Sequence, residues 1–338
     1  MPRRLVNLVL LGAVGTLVTT GLVAWLLPEA AALPLYLLHR VAGVALVLAL
    51  VWKYAIARRS LVRRVPRGDR SVWAGVGAAV LLVPSAGLGL AWTSGLVSFD
   101  RPWSYSALNI HVFAGLALAT LVVAHALARV ERRAGGPGRR SLLRLGAFGA
   151  VALVATAAFD RVSADRRASG SRQAGSFTGN DFPFTSWTFD GVPALDPAAW
   201  RLIVSGEVAR PVTLSLEDLA ALPRREVTAV LDCTGGWWTE QRWSGIPLAS
   251  LLDAHGAADA TSVEVISVTG HRWSFERDDI DRAILATHVG AGPLSAGHGY
   301  PLRLVVPGRR GFTWIKWVGA IAVERTRRAG QGDGTTGR

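Results

Sequence analysis

The sequence has little of several residues that often mark a function. It contains one cysteine, Cys233, in 338 residues, which excludes an intramolecular disulfide framework, a Cys₄ zinc site and a four-cysteine iron–sulfur cluster. Its one methionine is Met1, and its two lysines are Lys53 and Lys316. Acidic residues are scarce in one half only. Residues 1–159 carry 17 basic and 4 acidic side chains, whereas residues 160–338 carry 20 of each. The whole net charge of +13 therefore sits in the first half. That half is also the apolar one, so the excess reads as a feature of membrane topology and a nucleic-acid partner is excluded. Abundant Arg and Ala beside two lysines is the composition of a GC-rich bacterial coding sequence.

Five apolar stretches stand out, at about 5–27, 35–57, 72–92, 107–128 and 142–159. Each approaches the roughly 20 residues that an α-helix needs to cross a hydrocarbon core. Their connectors differ in charge. The 58–70 loop carries six arginines, and six more lie in 129–144, whereas 28–34 has only Glu29 and 93–106 only Asp100 and Arg101. The positive-inside rule then puts the N-terminus in the cytoplasm, gives five crossings, and leaves the residues after 160 outside. The fifth stretch opens Arg139-Arg140-Ser141-Leu142-Leu143-Arg144 and continues rich in Ala and Gly. It reads either as an internal twin-arginine export signal, which moves folded domains, or as an ordinary basic flank.

Histidines inside apolar spans are costly and invite a functional explanation. His39 and His111 lie near the starts of the second and fourth stretches, at similar depth near the outer face. Two facing imidazoles at one level suit bis-His ligation of haem b; the plainer alternative is a hydrogen-bonded pair. His125, 14 residues after His111, lies about 21 Å deeper on nearly the same face. Its level offers Lys53 and Tyr54 on the second helix instead of a histidine, so one outer haem is expected and His125 is assigned to the core. Arg40 either meets a haem propionate or snorkels to the interface.

Residues 160–180 are polar, rich in Gly and Ser, and aperiodic, and read as a flexible tether. Beyond them, Trp200–Gly206, Val227–Leu231, Ser262–Val268 and Leu302–Val306 are strand candidates. Ser215 with Asp218 marks a helix start, and a helix is expected near 247–254. The mixture implies an α+β domain over 181–326, followed by a disordered tail, 327–338. Cys233 ends a strand and enters Thr234-Gly235-Gly236-Trp237-Trp238. A lone cysteine of this kind is more often an inert core residue than a ligand. A free thiol in an oxidising compartment is a liability, however, and metal ligation would protect it. Trp237, Trp238, Arg242 and Trp243 either line a substrate funnel or simply pack.

Cys233 in this setting, Trp243-Ser244-Gly245-Ile246-Pro247-Leu248, and the run His298-Gly299-Tyr300-Pro301-Leu302-Arg303-Leu304-Val305-Val306-Pro307-Gly308 … Trp314-Ile315-Lys316-Trp317 resemble the molybdopterin domain of the sulfite oxidase family. The resemblance covers about 180–326. It implies that Cys233 is the protein ligand to molybdenum, and that Asn180, His298, Arg303, Trp314, Ile315 and Lys316 contact the pterin or its phosphate. A contacting hydroxyl is also implied from Ser267 or Thr269, which remain equivalent choices. A guanidinium and an ammonium are the groups a phosphate favours. The pattern departs from animal sulfite oxidases in its Cys-Thr-Gly-Gly-Trp-Trp loop, where those have Cys-x-Gly-Asn. They also continue into an immunoglobulin-like domain beyond this block. In size the domain is closer to the catalytic subunit of bacterial periplasmic methionine-sulfoxide reductase, although an Asn position of that group is His298 here.

The expected architecture is a five-helix membrane bundle over 1–159 holding haem b through His39 and His111, a linker over 160–180, and the molybdopterin domain. The expected activity is oxygen-atom transfer, reducing S- or N-oxides with electrons relayed through haem from a membrane quinone or another carrier. A sulfite-type oxidase running electrons the other way, and the same enzyme on a haem-free anchor, are the alternatives. The expected location is a bacterial plasma membrane, with the catalytic domain on the outer side and lipid around the helices.

Overall fold

The computed structural model describes residues 1–69, 72–97, 106–127, 138–162, 166–175, 177–185 and 191–324. The 327–338 tail and parts of the 58–70, 93–106, 129–144 and 160–180 connectors lie outside the described residues. The chain forms two compact units, Met1–Arg172 and Gln173–Arg338.

The first unit holds five helices: α1 (Arg3–Leu26), α2 (Glu29–Arg64), α3 (Val72–Ser94), α4 (Ala107–Leu127) and α5 (Arg139–Val162). All five are long and apolar enough to cross a membrane, by length and composition. Pro28 stands at the start of α2, and Pro34 falls inside that helix at its sixth residue, where it removes one intrahelical N–H donor. α1 packs along α2, α3 along α4, and α5 against α2. Ala13, Val14 and Leu46 form a buried cluster, joined by Leu82, Ala119 and Val122. Large apolar side chains also point outward, among them Val51, Val83 and Val154. A helix apolar on every side demands an apolar surrounding.

Residues 166–172 fall within the stretch expected as a tether. They are hydrogen-bonded onto the ends of the helices: Trp92 Nε1 donates to the Gly170 carbonyl at 2.8 Å, Arg40 Nη1 to Ala168 at 2.9 Å, and Arg172 Nη2 to Thr93 at 3.0 Å. A two-residue strand, β1 (Arg172–Gln173), falls at the boundary between the units.

In the second unit β2 (Leu202–Gly206) lies between β3 (Val212–Leu214) and β11 (Val318–Glu324), and β11 continues to β6 (Ser262–Ser267) and β7 (Arg272–Glu276). The β2–β11 pairing is parallel and the rest of this sheet is antiparallel. In a second sheet β5 (Trp237–Pro247) is flanked by β4 (Arg225–Asp232) and β8 (Ile284–Val289). β8 in turn pairs with β10 (Arg303–Val305) and the short β9 (Gly292–Pro293). Three short helices, α6 (Leu216–Ala220), α7 (Leu248–Ala254) and α8 (Arg277–Arg282), complete the unit. Ser215 and Asp218 form the reciprocal capping box anticipated for α6. β5 and β8 shift register at Ser244/Gly245. A Cβ at Gly245 would lie 2.0 Å from the Leu285 carbonyl oxygen, so only glycine lets the strands approach there.

Candidate functional site

Cys233 follows the last residue of β4 and opens the turn to β5. Its N–H donates to the Trp237 carbonyl at 2.8 Å, and its own carbonyl accepts from Gly236 at 3.0 Å. The sulfur is 3.3 Å from the donating Gly235 N–H and 3.2 Å from the Thr185 hydroxyl. Two polar groups thus converge on the sulfur of a buried cysteine.

From that sulfur a network leads to most of the residues implied by resemblance. Lys316 Nζ donates to the carbonyls of Thr185 at 2.8 Å and Gly297 at 2.9 Å. Arg303 Nη1 donates to the His298 carbonyl at 2.9 Å. His298 Nε2 donates to the Phe182 carbonyl at 2.9 Å, which leaves Nδ1 to accept from the Ser295 hydroxyl at 2.7 Å. Asn180 closes the chain, accepting from Ser295 N–H and donating to the Pro293 carbonyl. Cys233, Lys316, Arg303, His298 and Asn180 therefore share one neighbourhood although 136 positions separate Asn180 from Lys316.

Each group is tuned by its surroundings. The His298 ring packs on Phe182, with centroids 4.1 Å apart. Burial, reinforced by the charges of Arg303 and Lys316 against the opposing hydrogen bond to Phe182, lowers its pKa to about 4, so it is neutral at neutral pH. Arg303, 4% exposed, lies over the rings of Trp243 and Trp314 at 5.4 and 5.9 Å. Burial pushes its pKa down to about 10, opposed by the nearby Cys233. Trp317 has φ +53°, the one non-glycine residue with positive φ among those described. Backbone strain of this kind costs about 1–3 kcal/mol and collects at functional sites; here it follows Lys316, whose ammonium lies 4.5 Å from the Trp317 ring.

Trp314 stacks edge-on against Trp243 at 5.5 Å. Ile315 is fully buried and its carbonyl accepts from Leu304 N–H, so its side chain belongs to the core. Ser267 and Thr269 hydrogen-bond to each other at 3.1 Å. The funnel alternative is corrected for two residues: Trp237 and Trp243 are 2% and 0% exposed and pack with Phe182. Arg242 is exposed, beside Glu226.

Sequence reasoning missed Thr185 and Ser295, and it also missed a buried ion pair between Asp232 and Arg310 at 2.7 Å. The signals were present, with Asp232 next to the cysteine and Arg309-Arg310 inside the interval of the closing run, but nothing local said where those side chains pointed.

The residues fit an anionic, metal-bearing cofactor. A cysteine sulfur supplies a soft donor. Arg303 has no carboxylate partner among the described residues, and its buried Nε has no hydrogen-bond partner there. A buried guanidinium left in that state is costly unless an anion completes it.

In the helical unit the rings of His39 and His111 face each other, with centroids 6.3 Å apart and planes at 75°. His111 Nδ1 donates to the Ser85 carbonyl at 2.6 Å, and His39 Nδ1 is 3.1 Å from the Thr20 hydroxyl. His125 lies against Gly75, where a Cβ would come within 3.0 Å of Cε1. Arg40 pairs with Asp160 at 3.3 Å.

The family model for the oxidoreductase molybdopterin binding domain matches residues 189–331. Mitochondrial sulfite oxidase of Rattus norvegicus is 29% identical over 181 residues, 44% of this chain and 32% of that protein. The chain thus spans about a third of the length of that relative. The protein-methionine-sulfoxide reductase catalytic subunit MsrP of Gluconobacter oxydans is 34% identical over 146 residues, covering 37% of this chain and 47% of the relative. Among solved structures, the sulfane dehydrogenase SoxCD of Paracoccus pantotrophus aligns with 28% identity over 40% of this chain and 41% of its own, at a TM-score of 0.38. Such a domain implies a molybdenum cofactor. Residues 189–331 are therefore a molybdopterin-binding oxidoreductase domain of the sulfite oxidase type, and the protein that carries them is an enzyme.

Proposed function

We propose that the protein is a membrane-anchored reductase of S- or N-oxides, with its molybdenum domain on the extracytoplasmic side and its electrons drawn through haem b from a quinone or another membrane carrier. The observation that carries the reading is the network joining the Cys233 sulfur to Lys316 and Thr185, next to a buried Arg303 that lacks an anionic partner among the described residues. When bound, the cofactor supplies two-electron oxygen-atom transfer at molybdenum. Cys233 would hold the metal. Arg303 and Lys316 would neutralise the pterin phosphate, and Asn180 and His298 would fix the loops that carry them. Trp314 and the backbone at Ile315 would line the pterin. Neutral His298 would keep one tautomer, because the Phe182 carbonyl can only accept.

An S-oxide fits the electrostatics better than sulfite does. With Arg303 and Lys316 taken up by the pterin phosphate, the remaining guanidinium at the Cys233 carbonyl, Arg310, is already neutralised by Asp232, whereas an anionic substrate favours an uncompensated cation. The sulfite oxidase relatives favour the opposite direction of electron flow, and turnover decides: oxidised methionine is expected as a substrate, with sulfite oxidation slow.

For haem, His39 and His111, whose ring centroids lie 6.3 Å apart, are the residues that would hold the iron, and the group would supply one-electron transfer when bound. Each Nδ1 has its own partner, as metal-bound histidines favour, leaving Nε2 for a metal. The bundle also supports a single level. Fourteen residues inward from Gly21 and His39 stand Asn7 and Lys53, hydrogen-bonded to each other at 3.1 Å. Fourteen inward from Gly89 and His111 stand Gly75 and His125, so that level offers one histidine. The helix lengths, the arginine asymmetry and the Arg139-Arg140 motif support membrane anchoring and export of a loaded domain.

Metal and haem quantification on wild type, Cys233→Ser and His111→Leu tests the reading. Cys233→Ser is expected to lose molybdenum-dependent activity while the Soret band stays, and His111→Leu to lose the band while molybdenum stays. A wild type without molybdenum overturns the enzyme's proposed chemistry. A wild type without a Soret band overturns the relay and leaves a plain anchor.

A further inference from the structure

The turn Gly308-Arg309-Arg310-Gly311 leads into the Trp314–Lys316 segment, and its two arginines reach different buried carboxylates. Arg309 sends Nε to both oxygens of Asp279 at 3.0 Å and Nη2 to one of them at 2.5 Å; Asp279, on α8, is 1% exposed and also pairs with Arg282. Arg310 places Nη1 2.7 Å from Asp232 Oδ1, with both side chains 2% exposed. Its Nη2 lies 3.4 Å from the carbonyl of Cys233. The next residue, Gly311, has its backbone against the same strand end. A Cβ there would stand 2.7 Å from Leu231 Cδ1, 3.2 Å from the Asp232 carbonyl oxygen and 3.4 Å from Cys233 Cα. Three consecutive residues, Leu231 to Cys233, thus meet this one turn.

A buried ion pair is a poor route to stability, because desolvation of both ions offsets much of their attraction, and an apolar pair of similar volume packs as well. What this contact adds is close placement: Arg310 Nη1 stands 2.7 Å from the carboxylate as an ion pair without hydrogen-bond alignment, while Nη2 donates to the Cys233 carbonyl, so one rigid planar group is held between the two. Here the fork spans the carboxylate before the cysteine and the carbonyl of the cysteine itself. We infer that Asp232–Arg310 is a latch that fixes the Cys233 sulfur relative to the Trp314–Lys316 segment, making both members positioning residues for the metal ligand. The inference rests on the reading of Cys233 as the molybdenum ligand. Second-shell groups of this kind orient first-shell donors and tune the metal. The Asp279–Arg309 pair secures the same turn from α8 and supplies the comparison, since its hydrogen bonds go to Arg282 and Arg309 and none goes to the cysteine.

The test uses the full-length holoenzyme and its variants Asp232→Asn, Arg310→Lys and Asp279→Asn. Molybdenum per polypeptide, the Mo(V) electron paramagnetic resonance signal and thermal unfolding are measured on each. Asp232→Asn and Arg310→Lys are expected to displace the Mo(V) g-values and to weaken molybdenum retention on the order of 10-fold. Asp279→Asn is expected to lower the unfolding temperature with the Mo(V) signal at its wild-type position. If Asp232→Asn fails to accumulate, Arg310→Lys carries the test alone, because it keeps the positive charge and loses the second nitrogen that reaches Cys233. Wild-type Mo(V) signals in the latch variants that fold, with only their unfolding temperatures lowered, would mean that the pair serves the fold alone, and would overturn the inference. A wild type without molybdenum overturns the underlying reading and this inference with it, an outcome distinct from a loaded wild type with unaltered variants.

Discussion

Replacing Arg303 by methionine is expected to move cofactor retention and fold stability in opposite directions. Arg303 is 4% exposed, donates to the His298 carbonyl, and lies over two tryptophan rings. Burial lowers its pKa to about 10, well below that of a free guanidinium, which corresponds to about 3 kcal/mol against the charged form. Methionine removes that penalty. It also removes one hydrogen bond worth about 1 kcal/mol and cation–π attraction worth about 1 kcal/mol. The cofactor-free protein should therefore gain on the order of 1 kcal/mol, or about 2–4 °C in Tm for a domain of this size. Cofactor binding should suffer: a charge-assisted contact to phosphate worth up to about 3 kcal/mol is roughly 100-fold in affinity. The assay compares the full chain, in detergent, from a host that makes molybdopterin and from one that cannot, reading molybdenum content and Tm. A lower Tm in the cofactor-free variant, or wild-type molybdenum content, would refute the assignment of Arg303 as a cation waiting for its anion.

Two further outcomes follow from the same geometry. His298 has a folded pKa near 4, below the ~6.5 of an unfolded histidine, so between those values the unfolded chain binds a proton that the folded chain does not. Its contribution is present above about pH 6.5 and is lost as pH falls toward 4, and a series of Tm against pH should flatten in that window for His298→Gln. Asp279→Asn leaves Arg309, 18% exposed, without the buried carboxylate it packs against, and a cost of about 3 kcal/mol predicts a Tm lower by about 6–12 °C; a change under about 2 °C would place that pair among weak surface contacts.

The parts of the fold that were legible in the sequence are those that depend on local composition. The five helices follow from apolar length, and α6 from the Ser215–Asp218 box, because backbone groups at a helix start take their partners from within four residues. β5 is absent from the strand candidates because two of its inward positions are Thr239 and Gln241, both 1% exposed. They satisfy each other and Gly179 N–H, and so hide the alternation that marks a strand. The tether was inferred from Gly and Ser content, yet Trp92 and Arg40 bind its Gly170 and Ala168, and its own Arg172 binds Thr93, contacts that no property of the segment itself announces.

For the site the division is sharper. The chemistry was named by the resemblance that Cys233 and the His298–Lys316 run carry to the sulfite oxidase family; the residue types by themselves left an inert core cysteine open. Whether those groups meet was decided by the sheet that brings β10 alongside β8 and β5, and by side chains reaching over 100 positions along the chain, as from Lys316 to Thr185. Asp232 and Arg310 make the same point. Each is an ordinary charge in its own segment, and only packing that excludes water from both turns them into one buried ion pair beside the cysteine.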